Sequence, residues 1–211
     1  MRPFKIALGL LTFLRFGKVP VKDEELSRAA AYFPMVGILI GSLLVFLDQG
    51  VKEGFFTKRH FPNVLEENFI LFIVLTAFRI SRGLDEIFWV SARLFQRVVG
   101  VLIKCILFCW VPSPLRWITL CLMTTFSSGA LVLALRKMDA KKWELEDMLW
   151  SSLICVFLAI ACGPLGIFVL GVSLLFLAAM FRLGPDRFLG LEEGLEGMVI
   201  VAVIGFYYWV K

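Results

Sequence analysis

The sequence predicts an all-α fold, a polytopic integral membrane helical bundle of about seven transmembrane helices. Hydrophobic residues occupy 60% of the 211 positions and the mean hydropathy is +0.87, whereas soluble domains contain roughly 45–50% apolar residues. The apolar residues form uncharged runs long enough to cross a bilayer, such as residues 117–135. Lys and Arg lie mainly in every second connection between these runs, the distribution that the positive-inside rule describes.

Composition also excludes two other classes of function. The net charge of +5 does not indicate nucleic-acid binding, because basic residues between membrane spans normally set topology. The five cysteines all lie in apolar segments and form no CxxC pair: Cys105, Cys109, Cys121, Cys155 and Cys162. His60 is the only histidine, so no zinc site can be completed. We therefore expect no nucleic-acid partner and interpret the cysteines as buried free thiols.

The amino-terminal region begins with a short apolar segment between basic residues. No small-residue cleavage site follows it, so residues 4–16 are predicted to form an uncleaved amphipathic or half-inserted helix. The first clear span is predicted near residues 29–47. Gly37 and Gly41 lie four residues apart on this span, and such a small-residue face allows another helix to pack closely.

Six further spans are predicted within a single domain of residues 1–211. They lie near residues 68–80, 98–111, 117–135, 148–162, 165–181 and 197–210. The uncharged run 148–181 is too long for one crossing, and Gly163-Pro164 is predicted to divide it into a helical hairpin. Lys104 lies inside an apolar run, where a charge is costly, so it either snorkels to the interface or faces a protein interior.

The connections between spans differ in charge. Sixteen Lys and Arg residues lie on the amino-terminal side of the predicted spans and five on the opposite side, Lys104 being the remaining one. This asymmetry predicts that the amino terminus is cytoplasmic. The expected location is the cell membrane, plasma or inner, with the chain crossing it several times. Two acidic islands, residues 79–97 and 182–196, then share the cytoplasmic face, as a composite active site requires.

The second acidic island contains four acids and three glycines within RLGPDRFLGLEEGLE. Pro185 suits the start of a helix. On such a helix, Gly190, Glu193 and Gly197 lie within about 40° of Asp186 around the axis. Acids on this stripe could hold a cation, and glycines there let a ligand or another helix approach. The alternative is a solvated loop with ordinary charges and a small-residue packing seam.

The amino-terminal part contains two stretches with a recognisable pattern, LTFLRFGKVP and SRAAAYFPMVGILIG. The first includes Arg15 and Pro20. The second carries Phe33-Pro34, Gly37 and Gly41 in the arrangement FP-x-x-G-x-x-x-G. In these motifs the chain resembles the cobalamin synthases, the membrane adenosylcobinamide-GDP ribazoletransferases. The similarity in layout extends along the whole chain, and its specific motifs lie at the two ends.

The carboxyl-terminal acids resemble the same family. Its members carry a G-D-x-x-G stretch followed by two glutamates three residues apart. Asp186, Glu193 and Glu196 keep the spacing from the aspartate to both glutamates, while Gly190 falls one place late.

The chain departs from the family in the first acidic island. The family signature is close to H-L-D-G-L-A-D-T-x-D-G, and this chain has ISRGLDEIFWV. Gly83 and Leu84 align. The positions of the family's histidine and three acids are occupied by Ile80, Arg82, Glu86 and Trp89, and Asp85 is an additional acid. Ser127-Ser128 stands where the family has a Ser-Arg pair. The resemblance is therefore to a divergent or degenerate member.

The resemblance implies an enzyme of cobalamin biosynthesis that joins alpha-ribazole to adenosylcobinamide-GDP and releases GMP. It implies Mg²⁺ as cofactor, since carboxylate-held magnesium neutralises phosphate charge. The implied residues are Asp186, Glu193 and Glu196 in catalysis, Asp85, Glu86 and Asp186 on the metal, and Arg15, Arg79 and Arg82 on substrate phosphates. The implied partners are the lipid bilayer and the corrinoid nucleotide and ribazole substrates, with homo-oligomerisation left open.

Alternatives stay open for both the residues and the function. Each arginine could serve topology and lipid head-group contact instead, and Asp85 and Glu86 could form a solvated turn. The acid pattern of the CDP-alcohol phosphotransferases, another class of membrane enzyme, is absent. The main functional alternative is a catalytically inactive relative that acts as a membrane scaffold, partner or small-molecule carrier. The two hypotheses differ in whether the acidic islands lie close enough to share one ion.

Overall fold

The computed structural model describes residues 2–12, 23–52, 64–79, 93–138, 145–182 and 191–211. These residues form helices and contain no strand, which confirms the all-α membrane bundle predicted from the sequence. The helices are α1 (Arg2–Leu11), α2 (Asp23–Ala30), α3 (Phe33–Lys52), α4 (Val64–Arg79), α5 (Arg93–Cys109), a 3₁₀ turn (Ser113–Leu115), α6 (Arg116–Met138), α7 (Leu145–Ala161), α8 (Gly163–Arg182) and α9 (Leu191–Val210).

Hydropathy and length identify the membrane-crossing candidates in the described ranges. Three helical stretches are long and apolar enough to span a bilayer: Phe33–Gly50, Ser113–Ala134 and Gly163–Arg182. Two shorter apolar helices, Val99–Cys109 and Gly194–Val210, accompany them. Several large apolar side chains point outward, and Phe157 and Leu175 are 73% and 74% exposed. Such a surface is stable against lipid and unfavourable in water. The total of seven spans stays a prediction.

Helix α6 lies at the centre of the bundle. It packs against α3, α7, α8 and α9, and most of its side chains from Thr119 to Ala134 are buried. Its buried hydroxyls donate to carbonyls one turn earlier: Thr119 to Leu115, Thr124 to Leu120, Thr125 to Cys121 and Ser128 to Thr124. These bonds satisfy the hydroxyl groups inside the helix, so a polar stretch can occupy the core of a membrane bundle.

The glycine face predicted on the first span packs against α6, which confirms that prediction. A Cβ atom at Gly37 would lie 2.6 Å from the Thr124 carbonyl oxygen, and one at Gly41 would lie 2.8 Å from the Cys121 Cα. Only a residue without a side chain allows the two backbones to approach this closely.

The long apolar run breaks at Gly163, between α7 and α8. Gly163 has a φ of 67°, a left-handed conformation that favours glycine, and Pro164 follows in the first turn of α8. The two helices pack against each other along the chain's most apolar segment.

The amino-terminal helices α1 and α2 join the bundle through polar contacts. Arg2 forms an ion pair with Glu25 at 3.1 Å, and Ser27 donates a hydrogen bond to Asp147 of α7 at 2.7 Å. The amphipathic helix predicted over residues 4–16 corresponds to α1, which ends at Leu11. Its Ala7 and Leu11 side chains face inward. Residues 13–16 lie outside the described residues.

The cysteines are free, as predicted, but they are not uniformly buried. Cys105 and Cys155 are buried, Cys121 and Cys162 are half-buried, and Cys109 is exposed. The interpretation of Cys109 as a buried thiol is therefore wrong, because it continues the outward-facing stripe of Leu102 and Ile106 on α5.

Candidate functional site

The structure describes the side chain of one residue of the predicted site, Glu196. Arg79 ends α4 and Glu193 lies in the first turn of α9, but their side chains fall outside the described part of the chain. The other predicted residues are outside it entirely: Arg15, Arg82, Asp85, Glu86 and Asp186. The meeting of the two acidic islands, and the helix start at Pro185, therefore stay predictions.

Glu196 forms an ion pair with Lys104 in the interior of the bundle. The Lys104 Nζ lies 2.7 Å from the Glu196 Oε2, and the two side chains are 3% and 0% exposed. The Ser127 hydroxyl of α6 donates a longer hydrogen bond of 3.4 Å to the Glu196 Oε1. Helices α5, α6 and α9 thus meet at one buried polar cluster, which we call the Lys104 cluster (Lys104, Ser127 and Glu196).

Helix periodicity explains why Lys104 points inward. On α5, Val101, Lys104, Cys105 and Phe108 are buried, whereas Leu102, Ile103 and Ile106 are exposed. The buried residues follow the i, i+3, i+4, i+7 spacing of one helix face. The interior alternative for Lys104 is therefore confirmed and snorkelling is wrong. Counting this stripe in the sequence would have placed the lysine inward, but it would not have identified its partner.

The same periodicity places Glu196 on the inward face of α9. Leu195, Glu196, Val199, Ile200 and Val203 are all buried on that helix. A lone charge at this depth would be strongly destabilising, and an opposite charge at hydrogen-bonding distance offsets much of that penalty. Each residue of the pair therefore explains why the other is tolerated inside an apolar bundle.

A second buried cluster lies toward the other end of α6. The Arg116 Nη2 donates hydrogen bonds of 2.6 Å to the Asp48 Oδ1 and of 2.6 Å to the Asn68 Oδ1. The Arg116 guanidinium also lies over the Phe108 ring, 4.4 Å from its centroid. We call this the Arg116 cluster (Asp48, Asn68, Phe108 and Arg116). In the sequence, Arg116 is one of the five basic residues counted on the side opposite the amino terminus.

Aromatic rings connect the two clusters. Phe72 of α4 and Phe108 of α5 are fully buried and meet edge to face, with ring centroids 5.4 Å apart and an interplanar angle of 88°. The Lys104 ammonium lies 5.9 Å from the Phe72 centroid. Both cations therefore face aromatic rings, which stabilise desolvated positive charge.

Of the acids predicted to act in catalysis, Glu196 is the one whose side chain the structure describes. Its carboxylate is fully buried and paired with Lys104. Within the described ranges, no group of three His, Cys, Asp or Glu side chains could hold a metal ion. The magnesium site predicted on Asp85, Glu86 and Asp186 concerns residues outside the described part of the chain and stays a prediction.

An apolar cavity of about 90 Å³ lies between α6, α7, α8 and α9. Phe126, Cys155, Leu174 and Leu195 are among its lining residues. The Ser173 hydroxyl, also in the lining, has no hydrogen-bond partner among the described residues. Leu195 is adjacent to Glu196, so the cavity and the Lys104 cluster lie on neighbouring faces of α9.

Comparison with known proteins supports the predicted resemblance at the amino-terminal end. The cobalamin-5-phosphate synthase family model matches residues 3–85. The matched segment includes Arg15, the Phe33-Pro34 motif with both glycines, and the first acidic island as far as Asp85. Searches of curated proteins and of solved structures returned no match. Over residues 3–85, the chain is therefore similar to the cobalamin-5-phosphate synthases, the family that its motifs resemble.

Proposed function

We propose that the chain is a ribazoletransferase that joins alpha-ribazole to adenosylcobinamide-GDP and releases GMP in cobalamin biosynthesis. The observation that carries the proposal is the family match over residues 3–85, which links the chain to cobalamin synthesis in general. The specific reaction is supported by the carboxyl-terminal acids Asp186 and Glu193, which keep the family's spacing outside the matched segment.

The proposed reaction is a transfer at phosphorus. An oxygen of a ribazole hydroxyl forms a bond to the phosphorus attached to cobinamide, the bond from that phosphorus to the bridging oxygen breaks, and GMP leaves. The hydroxyl proton passes to solvent or to a nearby carboxylate. Magnesium, when bound, would neutralise phosphate charge and keep the attacking and leaving oxygens in line. Arg15, Arg79 and Arg82 would bind phosphate oxygens through their guanidinium groups.

The residues that would hold magnesium are Asp85, Glu86 and Asp186, and Glu193 would act beside them in catalysis. All four are acids of the islands that charge asymmetry places on the cytoplasmic face. Oxygen ligands of this type suit a hard cation such as Mg²⁺. Glu196 does not fit beside them as a ligand, because its carboxylate is paired with Lys104.

The proposed orientation places the amino terminus inside and the carboxyl terminus outside the inner membrane. Reporter fusions after Arg136 and after Lys211 should then fall on opposite sides. Two reporters on the same side would contradict the odd number of crossings between these positions, and with it the division of residues 148–181 into two spans.

The alternative is a catalytically inactive relative that serves as a scaffold, a partner or a small-molecule carrier. One observation favours it: Glu196, which resemblance assigns to catalysis, is engaged by Lys104 inside the bundle. The replacement of family acids by Arg82 and Trp89 points the same way.

The test is GMP release by the purified full-length protein in lipid vesicles. Adenosylcobinamide-GDP is supplied with alpha-ribazole in one arm and with alpha-ribazole 5′-phosphate in another, because the family description names a cobalamin-5-phosphate product. Each arm is run with Mg²⁺ and with a chelator. Acceptor-dependent and Mg²⁺-dependent GMP release is the expected result. No release in any arm would contradict the transferase proposal and favour the inactive relative.

A further inference from the structure

The position of Glu196 is not that of a group that touches a large polar substrate. Its side chain is fully buried, its Oε2 lies 2.7 Å from the Lys104 Nζ, and its Oε1 accepts a hydrogen bond from Ser127. Leu195, Val199 and Ile200 surround it on the inward face of α9. A carboxylate in this position can hold a helix in place, but it cannot approach a phosphate outside the bundle.

The pair connects α9 to helices that are distant in the sequence. Glu196 lies 92 residues from Lys104 and 69 residues from Ser127. On the opposite side, Gly194 lies against the Phe176 ring of α8, where an added Cβ would come within 3.0 Å of the ring. Sliding α9 by one helical turn would displace Glu196 by about 5.4 Å and break the ion pair. The pair therefore fixes both the rotation of α9 about its axis and its position along that axis.

The beginning of α9 bears Glu193, an acid that the proposed reaction uses. Glu193 lies three residues before Glu196 on the same helix. Whatever fixes Glu196 also fixes the helix turn from which Glu193 extends. An error of about 1 Å in such positioning can lower a rate by about 100-fold.

We propose that Glu196 is a positioning residue: its buried ion pair with Lys104 sets the register of α9 and thereby the position of Glu193 on that helix, and Glu196 itself contacts neither substrate nor metal. This inference rests on the proposed transferase function for its catalytic part. The coupling between Glu196 and Lys104 does not depend on that function and is measured separately.

The experiment is a double-mutant cycle on the full-length protein, with Glu196→Gln, Lys104→Met and the double variant. Each single substitution removes one charge of a buried ion pair, which is strongly destabilising. The double variant removes both charges at similar side-chain volume. We expect each single variant to unfold about 10 °C below the wild type and the double variant to unfold within about 4 °C of it. A double variant no more stable than the single variants would overturn the coupling.

Turnover per folded molecule distinguishes a positioning role of Glu196 from an effect on the stability of the whole protein. GMP release is measured below all unfolding midpoints and normalised to folded protein. We expect kcat to fall about 10–100-fold in each single variant, the range typical for partners that orient a reacting group, with KM unchanged. The kcat of the double variant should be at least tenfold higher than that of Glu196→Gln. If its stability recovers while its kcat stays at the Glu196→Gln level, the carboxylate itself is required and the positioning role is wrong.

A control variant and the activity of the wild type are needed to interpret the cycle. Glu25→Gln removes the partner of the exposed Arg2 and should change neither midpoint nor kcat measurably, since exposed pairs contribute little. If kcat per folded molecule is unchanged in both single variants, the pair is merely structural and the proposal fails. If the wild type releases no GMP, the transferase function fails and the catalytic part of this proposal fails with it, while the unfolding cycle still decides whether the pair couples.

Discussion

The Lys104 cluster and the Arg116 cluster use the same chemistry in different surroundings. Ser127 and Arg116 are eleven residues apart on α6, so the clusters are separated by about 16 Å along its axis. The Lys104 cluster joins the middle of α6 and the second half of α5 to the second turn of α9. The Arg116 cluster lies where α6 begins, α3 approaches its end and α4 contributes Asn68 from its first turns.

This difference predicts how strongly each pair depends on its partner. The Lys104 and Glu196 side chains are 3% and 0% exposed, so water does not solvate either charge when its partner is removed. Near helix ends, Asp48 keeps 9% of its side-chain exposure, and Arg116 has both Asn68 and the Phe108 ring as additional contacts. We therefore expect substitutions in the Lys104 cluster to destabilise the protein more than substitutions in the Arg116 cluster.

The largest effect is expected from Lys104→Met, which leaves the Glu196 carboxylate buried without its ammonium. We expect the free energy of unfolding to fall by about 3–5 kcal/mol. Asp48→Asn keeps an oxygen acceptor for Arg116 and should lower it by about 1.5–3 kcal/mol. Unfolding of both variants in the same detergent measures the difference. Equal losses, or a larger loss for Asp48→Asn, would show that depth in the bundle does not separate the clusters.

The next largest effect is expected at Asp186, an acid that we expect to act on the substrate and not to hold another helix in place. Asp186→Asn removes a proposed metal ligand and should lower activity about 10–100-fold, with partial recovery at high Mg²⁺. Unlike Lys104→Met, it should leave the unfolding midpoint nearly unchanged. Glu192→Gln is the control, because it lies about 120° away around the same predicted helix. Similar losses for both variants would indicate a solvated loop at this island.

A smaller effect is expected at the seam that brings α3 against α6. Gly41→Ala places a Cβ 2.6 Å from the Thr124 Oγ1, so the helices must separate, and we expect a loss of about 1–3 kcal/mol in unfolding free energy. Gly50→Ala on the same helix is the matched control, because a Cβ there meets no atom within 4 Å. A loss in the control as large as in Gly41→Ala would mean that helix propensity, and not close packing, governs the response.

The smallest effect is expected from the exposed pair that joins α1 to α2. Arg2 is 60% exposed and Glu25 is 26% exposed, so water and salt screen their attraction. Glu25→Gln should change the unfolding free energy by less than about 1 kcal/mol. A change comparable to that of Asp48→Asn would show that the amino-terminal helices depend on this ion pair for attachment.

Short patterns in the sequence correctly predicted several features of the fold. The spacing of Gly37 and Gly41 predicted a close helix contact, and the contact with Thr124 and Cys121 confirms it. The structure breaks the helix at Gly163, where glycine and proline interrupt an uncharged run. The membrane class followed from composition alone. Each of these depends on a few neighbouring residues.

The pairing of distant charges could not be read from the sequence. Lys104 stands out inside an apolar run, but Glu196 belongs to an acidic stretch that spacing and resemblance assigned to catalysis. Nothing local connects two residues 92 positions apart. Asp48 and Arg116 each lie beside an apolar run, where charged residues ordinarily mark a membrane boundary. Their ion pair becomes visible only when the helices are packed.

The stoichiometry of the proposed reaction, measured in vesicles containing the purified protein, tests the transferase function most directly. Adenosylcobinamide-GDP, a ribazole acceptor and Mg²⁺ are supplied, and GMP and the joined corrinoid product are quantified together by mass spectrometry. We expect equal amounts of both products, their loss in the absence of acceptor or Mg²⁺, and a reduction of about 10–100-fold with Asp186→Asn. Absence of the joined corrinoid product, with or without GMP release, would contradict the transferase function.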